Sequence, residues 1–123
     1  MIRTLIVDDV AELRALLRAQ LSMSSSFDVV AEAVNGAQAV EQAEKLQPDL
    51  VLLDLAMPVM SGLEAVPRIV AAAPRTTIVM LSAFDKRATA EACVQAGARA
   101  FIEKGVPLKA LLARLQEFFP TTV

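Results

Sequence analysis

The stretch that decides the fold is Asp49-Leu50-Val51-Leu52-Leu53-Asp54-Leu55-Ala56-Met57-Pro58. Four consecutive apolar residues lead to the carboxylate of Asp54, and a proline follows four residues later. A short, continuous apolar run is typical of a strand that is buried on both faces of a parallel sheet. Pro58 has no N–H to donate, so regular strand pairing ends before it. Asp54 is therefore predicted where a buried strand emerges into a loop, which is the position at which open α/β sheets bind ligands.

Apolar strands alternate with amphipathic helices along the rest of the chain. Besides the central run, strands are predicted over residues 5–7, 28–34, 76–81 and 100–102. Helices are predicted from apolar stripes that begin near residues 10, 37, 63, 86 and 107, and the fourth has only the thin stripe Ala88, Ala92 and Ala96. The pattern predicts an α/β fold, a doubly wound five-stranded parallel sheet with five helices joined by right-handed crossovers. A length of 123 residues predicts one domain with one sizeable core.

The composition excludes several classes of function. With a net charge of −2 and scattered basic residues, the chain is predicted to make no direct nucleic-acid or membrane contact. The absence of histidine excludes histidine catalysis and histidine-ligated metals. The single cysteine, Cys93, excludes an internal disulfide and is predicted to be a small buried residue on a helix. The apolar stretch at the N-terminus is too short for a signal peptide or a membrane span, and acidic residues follow it too soon. We therefore expect a cytoplasmic protein.

Polar residues follow four of the five predicted strands. They are Asp8 and Asp9 after strand 1, Asp54 after strand 3, Ser82 after strand 4 and Lys104 after strand 5. The carboxyl ends of parallel strands share one edge of the sheet, so these side chains are predicted to meet. Three neighbouring carboxylates imply a cation between them, and oxygen ligands without His or Cys suit Mg²⁺ or Mn²⁺. A carboxylate that faces a divalent ion and a lysine is well placed to handle a phosphoryl group.

Each of these residues taken alone also has an ordinary structural explanation. Asp8 and Asp9 favour the start of a helix through its dipole, Ser82 is a common turn residue, and a lone lysine is usually a solvated charge. Asp54 is harder to explain in this way, since a buried strand delivers it into a loop. The structural explanations would all have to hold together, and the functional interpretation of the set is therefore the better one.

In this combination and order, the residues resemble those of a receiver domain, the phosphorylated module of two-component response regulators. The resemblance rests on four segments, Val7-Asp8-Asp9, Asp54 to Pro58 with Gly62, Leu81-Ser82-Ala83, and Phe101-Ile102-Glu103-Lys104. It covers residues 1–123 as a single receiver domain. It implies a flavodoxin-like sheet of order 2-1-3-4-5. It also implies a signalling phosphoacceptor that is no enzyme, because it catalyses only its own phosphorylation and dephosphorylation.

The resemblance assigns roles to the acidic residues and the lysine. Asp54 is implied to accept a phosphoryl group from the phosphohistidine of a sensor histidine kinase or phosphotransfer protein. Asp9 and Asp54 are implied to bind Mg²⁺ directly together with the backbone carbonyl of Ala56, while Asp8 acts mainly through water. Lys104 is implied to pair with Asp54 and then with the phosphoryl group.

The resemblance also implies a switch. The hydroxyl of Ser82 is expected to move toward the phosphoryl group, and Phe101 is expected to swing into the vacated space. The small Ala83 leaves room for phosphoryl access. Phe84 is bulky and apolar, and we expect it to shield the acyl phosphate and prolong its lifetime. A Phe84→Ala variant that loses phosphate no faster than the parent would count against this shielding.

One departure from the common receiver pattern bears on the output. Gly105 follows Lys104 where many receivers have proline, and Pro107 comes two residues later. The glycine form also occurs in receivers attached to helix-turn-helix DNA-binding domains. A DNA-binding output domain outside this chain, and thus a role in transcription regulation, is therefore one expectation, and a stand-alone receiver is the other. Helix 4, strand 5 and helix 5 are expected to form a homodimer or partner face.

Three other classes of protein share part of this pattern. A phosphatase of the haloacid-dehalogenase type needs a second aspartate two residues after its nucleophile, where this chain has Ala56. A flavodoxin-like FMN binder is disfavoured because Asp8 and Asp9 would repel the cofactor phosphate. The remaining alternative is a receiver-like interaction module that works without phosphorylation. Incubation with Mg²⁺ and a small phosphodonor separates that module from a phosphoacceptor.

Overall fold

Five parallel strands form one sheet in the order β2-β1-β3-β4-β5. A computed structural model describes residues 1–120, apart from the side chain of Phe84. The strands are β1 (Ile2–Val7), β2 (Phe27–Ala33), β3 (Leu50–Asp54), β4 (Thr77–Ser82) and β5 (Ala100–Glu103). The α-helices are α1 (Ala11–Ser22), α2 (Gly36–Leu46), α3 (Gly62–Ala72), α4 (Arg87–Ala96) and α5 (Leu108–Glu117), and a 3-10 turn covers Phe84–Lys86. The predicted fold class and strand order are confirmed.

Strand β3 is the centre of the sheet and is buried along its whole length. It pairs with β1 on one side and with β4 on the other. Successive side chains point to opposite faces, so Leu50 and Leu52 enter one core cluster while Val51 and Leu53 enter the other. Each of these four side chains is fully buried, which contributes about 2 kcal/mol apiece to folding. The apolar run thus anchors both faces of the sheet at once.

The two core clusters place the helices on opposite faces. Helices α2, α3 and α4 cover one face, with Ala43, Ile69 and Cys93 among their buried residues. Helices α1 and α5 cover the other face, through Leu21 of α1 and through Leu111 and Leu115 of α5. The buried Cys93 confirms the prediction of a small core residue on a helix.

Helix α4 departs from its predicted packing. The alanines at 88, 92 and 96 were expected to face the core, but the buried residues are Ala90 and Cys93. An alanine-rich segment gives little contrast between its faces, so the sequence does not define which side turns inward. A 3-10 turn over Phe84–Lys86 leads directly into the helix.

The ends of the chain show two smaller features. Strand β1 begins at Ile2 rather than at Leu5. Phe119, just after α5, is half-buried and packs against the cluster that α1 and α5 cover. Within residues 1–120, no helix is both long and apolar enough to cross a lipid bilayer.

Candidate functional site

The carboxyl ends of the strands bring four predicted side chains together. Asp8 directly follows β1, Asp54 ends β3 and Ser82 ends β4, and all three are buried. Lys104 follows β5, and its side chain is about a third exposed. Residues from opposite ends of the chain thus meet at one edge of the sheet, as the parallel topology requires.

Lys104 forms ion pairs with two of the buried carboxylates. Its ammonium lies 2.7 Å from Asp54 Oδ1 and 3.6 Å from Asp8 Oδ2. The backbone N–H of Leu55 also donates to Asp54 Oδ1 at 3.0 Å. One oxygen of Asp54 is therefore held by a cation and a backbone donor, which fixes the carboxylate in a defined orientation.

The pKa values of this pair reflect its burial. Burial raises the pKa of Asp54, and the charge of Asp8 adds to that rise, while Lys104 and the Leu55 N–H oppose it without cancelling it. Burial alone would lower the pKa of Lys104, but the two carboxylates outweigh it and the pKa is raised. Asp54 is thus less stable as an anion than an exposed aspartate, so the site favours a further positive charge.

Asp8, Asp9 and Asp54 form a cluster suited to a divalent cation. Each offers a carboxylate oxygen, and these oxygens all lie within 4.8 Å of one another. The exposed Asp9 gives the cluster its opening to solvent, while Val10 N–H donates to Asp8 Oδ1 at 2.9 Å. The cluster carries three carboxylates and the ammonium of Lys104 pairs with two of them, so an excess of negative charge remains. All-oxygen ligands with excess negative charge fit Mg²⁺ or Mn²⁺.

Ser82 carries an unsatisfied hydroxyl in the same edge of the sheet. The residue is 1% exposed, and its Oγ has no hydrogen-bond partner among the described residues. A buried polar group without a partner costs about 1–3 kcal/mol. The backbone of Ser82 is tied to the lysine, because Lys104 N–H donates to the carbonyl of Ser82 at 2.7 Å. The hydroxyl is thus held next to the site and available to a ligand.

Two glycines allow the loop between β3 and α3 to fold back against the site. Gly62 N–H donates to the carbonyl of Leu55 at 2.8 Å, and a Cβ on Gly62 would lie 2.2 Å from the carbonyl oxygen of Asp54. Gly36 N–H donates to the carbonyl of Met60 at 2.9 Å, and a Cβ on Gly36 would lie 2.6 Å from that oxygen. A side chain at either position would therefore push the loop outward. The exposed Ala56 lies at the start of this loop, two residues after Asp54.

The same loop contains a strained turn at Val59. Its φ is +69°, and Met60 N–H donates to the carbonyl of Pro58 at 2.7 Å, which defines a γ-turn. A β-branched residue rarely adopts positive φ. Val59 is 81% exposed, so its side chain gains little from packing in return.

Comparison with known proteins assigns the family. The sequence model described as "Response regulator receiver domain" matches residues 4–116. The chain belongs to the response regulator receiver domain family. Among its relatives, chemotaxis protein CheY of Listeria monocytogenes serovar 1/2a is 37% identical over 117 residues, which cover 95% of this chain and 98% of that protein. The chain is therefore a receiver domain of two-component signalling, as the resemblance predicted.

Solved structures of receiver domains are similar in fold. The CheX-CheY-BeF3-Mg complex from Borrelia burgdorferi contains a chain that matches with a TM-score of 0.87 and 29% identity, over 98% of this chain and 90% of that one. The signal receiver domain of the putative response regulator NarL from Mycobacterium tuberculosis matches with a TM-score of 0.88 and 30% identity, over 95% and 94% of the two chains.

The predicted switch and access residues of this receiver domain lie around β4 and β5. Phe101 is half-buried, and the Arg87 guanidinium lies 5.9 Å from the centre of its ring. Ala83 is exposed beside the buried Ser82. The predicted shielding role of Phe84 concerns a side chain outside the described part of the structure.

The peptide bond after Lys104 has ordinary geometry. None of the peptide bonds in residues 1–120 is cis. Gly105 has φ +94°, which is available to glycine, and a Cβ there would meet nothing within 4 Å.

Sequence reasoning missed Arg14 of this receiver domain. Its Nη1 donates to the backbone carbonyl of Asp8 at 2.8 Å, and its Nε donates to Glu32 on β2 at 3.1 Å. The available signal was weak, because an arginine five residues after Asp9 on a predicted helix is usually a surface charge.

Proposed function

We propose that this receiver domain accepts a phosphoryl group on Asp54 from the phosphohistidine of a sensor histidine kinase or phosphotransfer protein. The observation that carries the proposal is the buried carboxylate of Asp54, which lies 2.7 Å from the Lys104 ammonium and within reach of two further acids. A structural ion pair does not need the additional negative charges of Asp8 and Asp9. A phosphoryl-transfer site does need a nucleophile, a fixed cation and a metal cluster together.

The reaction is an exchange of one phosphorus bond for another. A carboxylate oxygen of Asp54 attacks phosphorus, a P–O bond forms, and the P–N bond to the donor imidazole breaks with its electron pair leaving on nitrogen. The product is a mixed anhydride on Asp54. Lys104 would move from the carboxylate to a phosphoryl oxygen and so keep the negative charge there compensated, and its 2.7 Å contact with Asp54 Oδ1 supports this role. In this proposal the chain acts on no other substrate, so its catalysis is confined to its own phosphorylation and dephosphorylation.

We infer a resident Mg²⁺ or Mn²⁺ from the donor set. Asp9, Asp54 and the backbone carbonyl of Ala56 would hold the ion directly, and the buried Asp8 would act mainly through water. A bound divalent cation supplies charge neutralisation for the phosphoryl oxygens. That the chain of the similar Borrelia structure lies in a complex with BeF3 and Mg supports this assignment.

Ser82 and Phe101 form the proposed switch. The unpartnered hydroxyl of Ser82 gains an acceptor when a phosphoryl oxygen arrives, and its movement opens space toward which Phe101 turns. This rotation would take the ring of Phe101 away from the Arg87 guanidinium, which lies 5.9 Å from its centre. The change would reach the surface formed by α4, β5 and α5, which we propose as a homodimer or partner face. On that surface Arg99 lies 5.4 Å from the ring of Phe118, so charge reversal at Arg99 tests it.

The wider context of the receiver is also a proposal. We propose that residues 1–123 act as one receiver unit in the cytoplasm. A DNA-binding output domain outside this chain is supported by Gly105 after Lys104, by analogy with receivers that carry such domains, and would make the protein a transcription regulator. A stand-alone receiver is the other arrangement, and the CheY relative, matched over 98% of its length, supports it.

Intact mass tests the phosphoacceptor directly. The parent chain with Mg²⁺ and phosphoramidate should gain one phosphoryl group, and Asp54→Asn should gain none. Removal of Mg²⁺ should slow the parent reaction strongly. An unmodified parent, or equal labelling of Asp54→Asn, would instead favour the module that works without phosphorylation.

A further inference from the structure

An arginine of α1 holds the backbone of the acidic loop after β1. The Nη1 of Arg14 donates to the carbonyl of Asp8 at 2.8 Å, and the Nε of the same guanidinium donates to Glu32 Oε1 at 3.1 Å. The side chain of Arg14 is 17% exposed and that of Glu32 is 30% exposed, so both contacts are partly buried. One planar group therefore links strand β2 to the loop that carries two of the acids.

This contact fixes a peptide unit that leads to Asp9. The N–H of Asp8 donates to the carbonyl of Ala33 at 3.1 Å, and its own carbonyl accepts from Arg14. The carbonyl of Asp8 and the N–H of Asp9 lie in one rigid plane. The position of that carbonyl thus sets the direction in which Asp9 leaves the strand. Asp9 is exposed, so packing restrains its position less than that of the buried Asp8.

Glu32 orients Arg14 and compensates its charge. Glu32 Oε2 accepts from Arg18 Nε at 2.7 Å, so the carboxylate is shared between two arginines one helical turn apart. The hydrogen bond from Arg18 is the largest cause that lowers the pKa of Glu32, and Arg14 lowers it further. The guanidinium of Arg14 is thus paired with an anion, although it lies beside a site that favours a cation.

We propose that Arg14 is a positioning residue that orients the Asp8–Asp9 peptide for divalent-cation binding. The inference rests on the proposed function, because it takes the cation to bind at Asp8, Asp9 and Asp54. Contacts that orient metal ligands from outside the coordination shell are typically worth about 10–100-fold in metal affinity. Arg14 acts on the backbone rather than on a ligand side chain, so we expect the lower end, about tenfold.

Arg18 offers a matched control on the same helix. It shares the partner Glu32, but its described hydrogen bond goes to Glu32 and not to the acidic loop. The loss of positive charge is the same in Arg14→Met and Arg18→Met. That loss should leave cation binding unchanged or slightly tighter, because the arginine and the bound cation repel each other. Weaker binding in Arg14→Met alone would therefore identify the carbonyl contact rather than the charge.

Manganese binding to the full chain tests the proposal without reference to activity. The signal of free Mn²⁺ in electron paramagnetic resonance gives the Kd, and circular dichroism checks folding. We expect Arg14→Met to weaken Mn²⁺ binding about tenfold and Arg18→Met to change it by less than about twofold. Arg14→Lys keeps the charge but cannot hold both partners in one planar fork, so it should weaken binding by several-fold.

The outcomes separate this inference from the proposed function. Parent-like affinity in Arg14→Met, or an equal loss in Arg18→Met, would overturn the positioning role while the metal site stands. If Arg14→Met does not fold, Arg14→Lys decides, and parent-like affinity there would overturn the role. If the parent binds no Mn²⁺, both the cation site and this inference are rejected. Whether Asp54 accepts a phosphoryl group is decided separately, by the mass measurement with phosphoramidate.

Discussion

Substitution of Gly62 by alanine should displace β3, the strand that ends at Asp54. The Cβ of an alanine would lie 2.2 Å from the carbonyl oxygen of Asp54, whereas ordinary contacts begin near 3.4 Å. The two backbones would therefore have to separate by about 1 Å, and such overpacking costs about 1–3 kcal/mol. Alanine also restricts the unfolded chain more than glycine does, which offsets up to about 1 kcal/mol of this loss of stability. We expect a net loss of about 1–2 kcal/mol in the free energy of unfolding.

The same displacement should impair the chemistry. The shift would reach the Asp54–Leu55 peptide, whose N–H holds Asp54 Oδ1 at 3.0 Å, so the carboxylate would lose its alignment with Lys104. A misplacement of this size costs roughly 100-fold in rate for well-oriented reactions. Urea unfolding followed by circular dichroism measures the stability, and intact mass during reaction with phosphoramidate measures the rate.

Ser61→Ala is the control for an unspecific loss of stability. Ser61 caps the same helix in a reciprocal capping box with Glu64, and removal of such a cap costs about 1 kcal/mol. The substitution places no atom against Asp54. We expect Ser61→Ala to lose stability but to retain the phosphorylation rate. The reasoning is refuted if Gly62→Ala reacts at the parent rate, or if Ser61→Ala slows the reaction as much.

Three further predictions concern strain, pH and charge. Val59→Asn should stabilise the fold by about 1 kcal/mol in urea unfolding, because asparagine tolerates positive φ. Val34→Asn is the control, since Val34 is also exposed but has no positive φ. An equal gain in stability from Val34→Asn would contradict the prediction. The lowered pKa of Glu32 means that its ion pairs stabilise the fold above its usual value of 4.5 and that this contribution fades as the pH falls through the lower folded value. The stability difference between parent and Glu32→Gln, less than about 1 kcal/mol at pH 7, should therefore shrink on acidification, and a growing difference would show the sign to be wrong. Lys104→Met should lower the free energy of unfolding by about 1–2 kcal/mol at pH 7, a value discounted because the lysine is partly exposed. A second change, Asp54→Asn, should recover most of that loss, because it removes the carboxylate left unpaired. A Lys104→Met variant as stable as the parent would refute the pairing.

The fold and the core of the site were predictable because they depend on short patterns and topology. The run from Leu50 to Leu53 can satisfy its burial only in the middle of a sheet, and parallel strands must bring their carboxyl ends to one edge. Asp8, Asp54 and Lys104 therefore met as predicted. The order of the strands came from resemblance to a family and not from the pattern alone.

The remaining features depend on geometry that the pattern does not contain. The approach of Gly62 to the Asp54 backbone and the positive φ of Val59 are consequences of loop closure between β3 and α3. The contact of Arg14 with Asp8 needs the rotation of α1 about its axis and the pairing of β1 with β2. Helix α4 shows the same limit, since its alanines leave its rotation undefined and Ala90 rather than Ala88 is buried.

Identification of the modified residue tests the central claim most directly. After reaction with Mg²⁺ and phosphoramidate, borohydride reduces an aspartyl phosphate to homoserine, and peptide mapping locates that residue in the chain. The phosphoacceptor assignment predicts homoserine at position 54 and unmodified Asp8 and Asp9. Homoserine at position 8 or 9, or none in a chain that has gained phosphoryl mass, would contradict it.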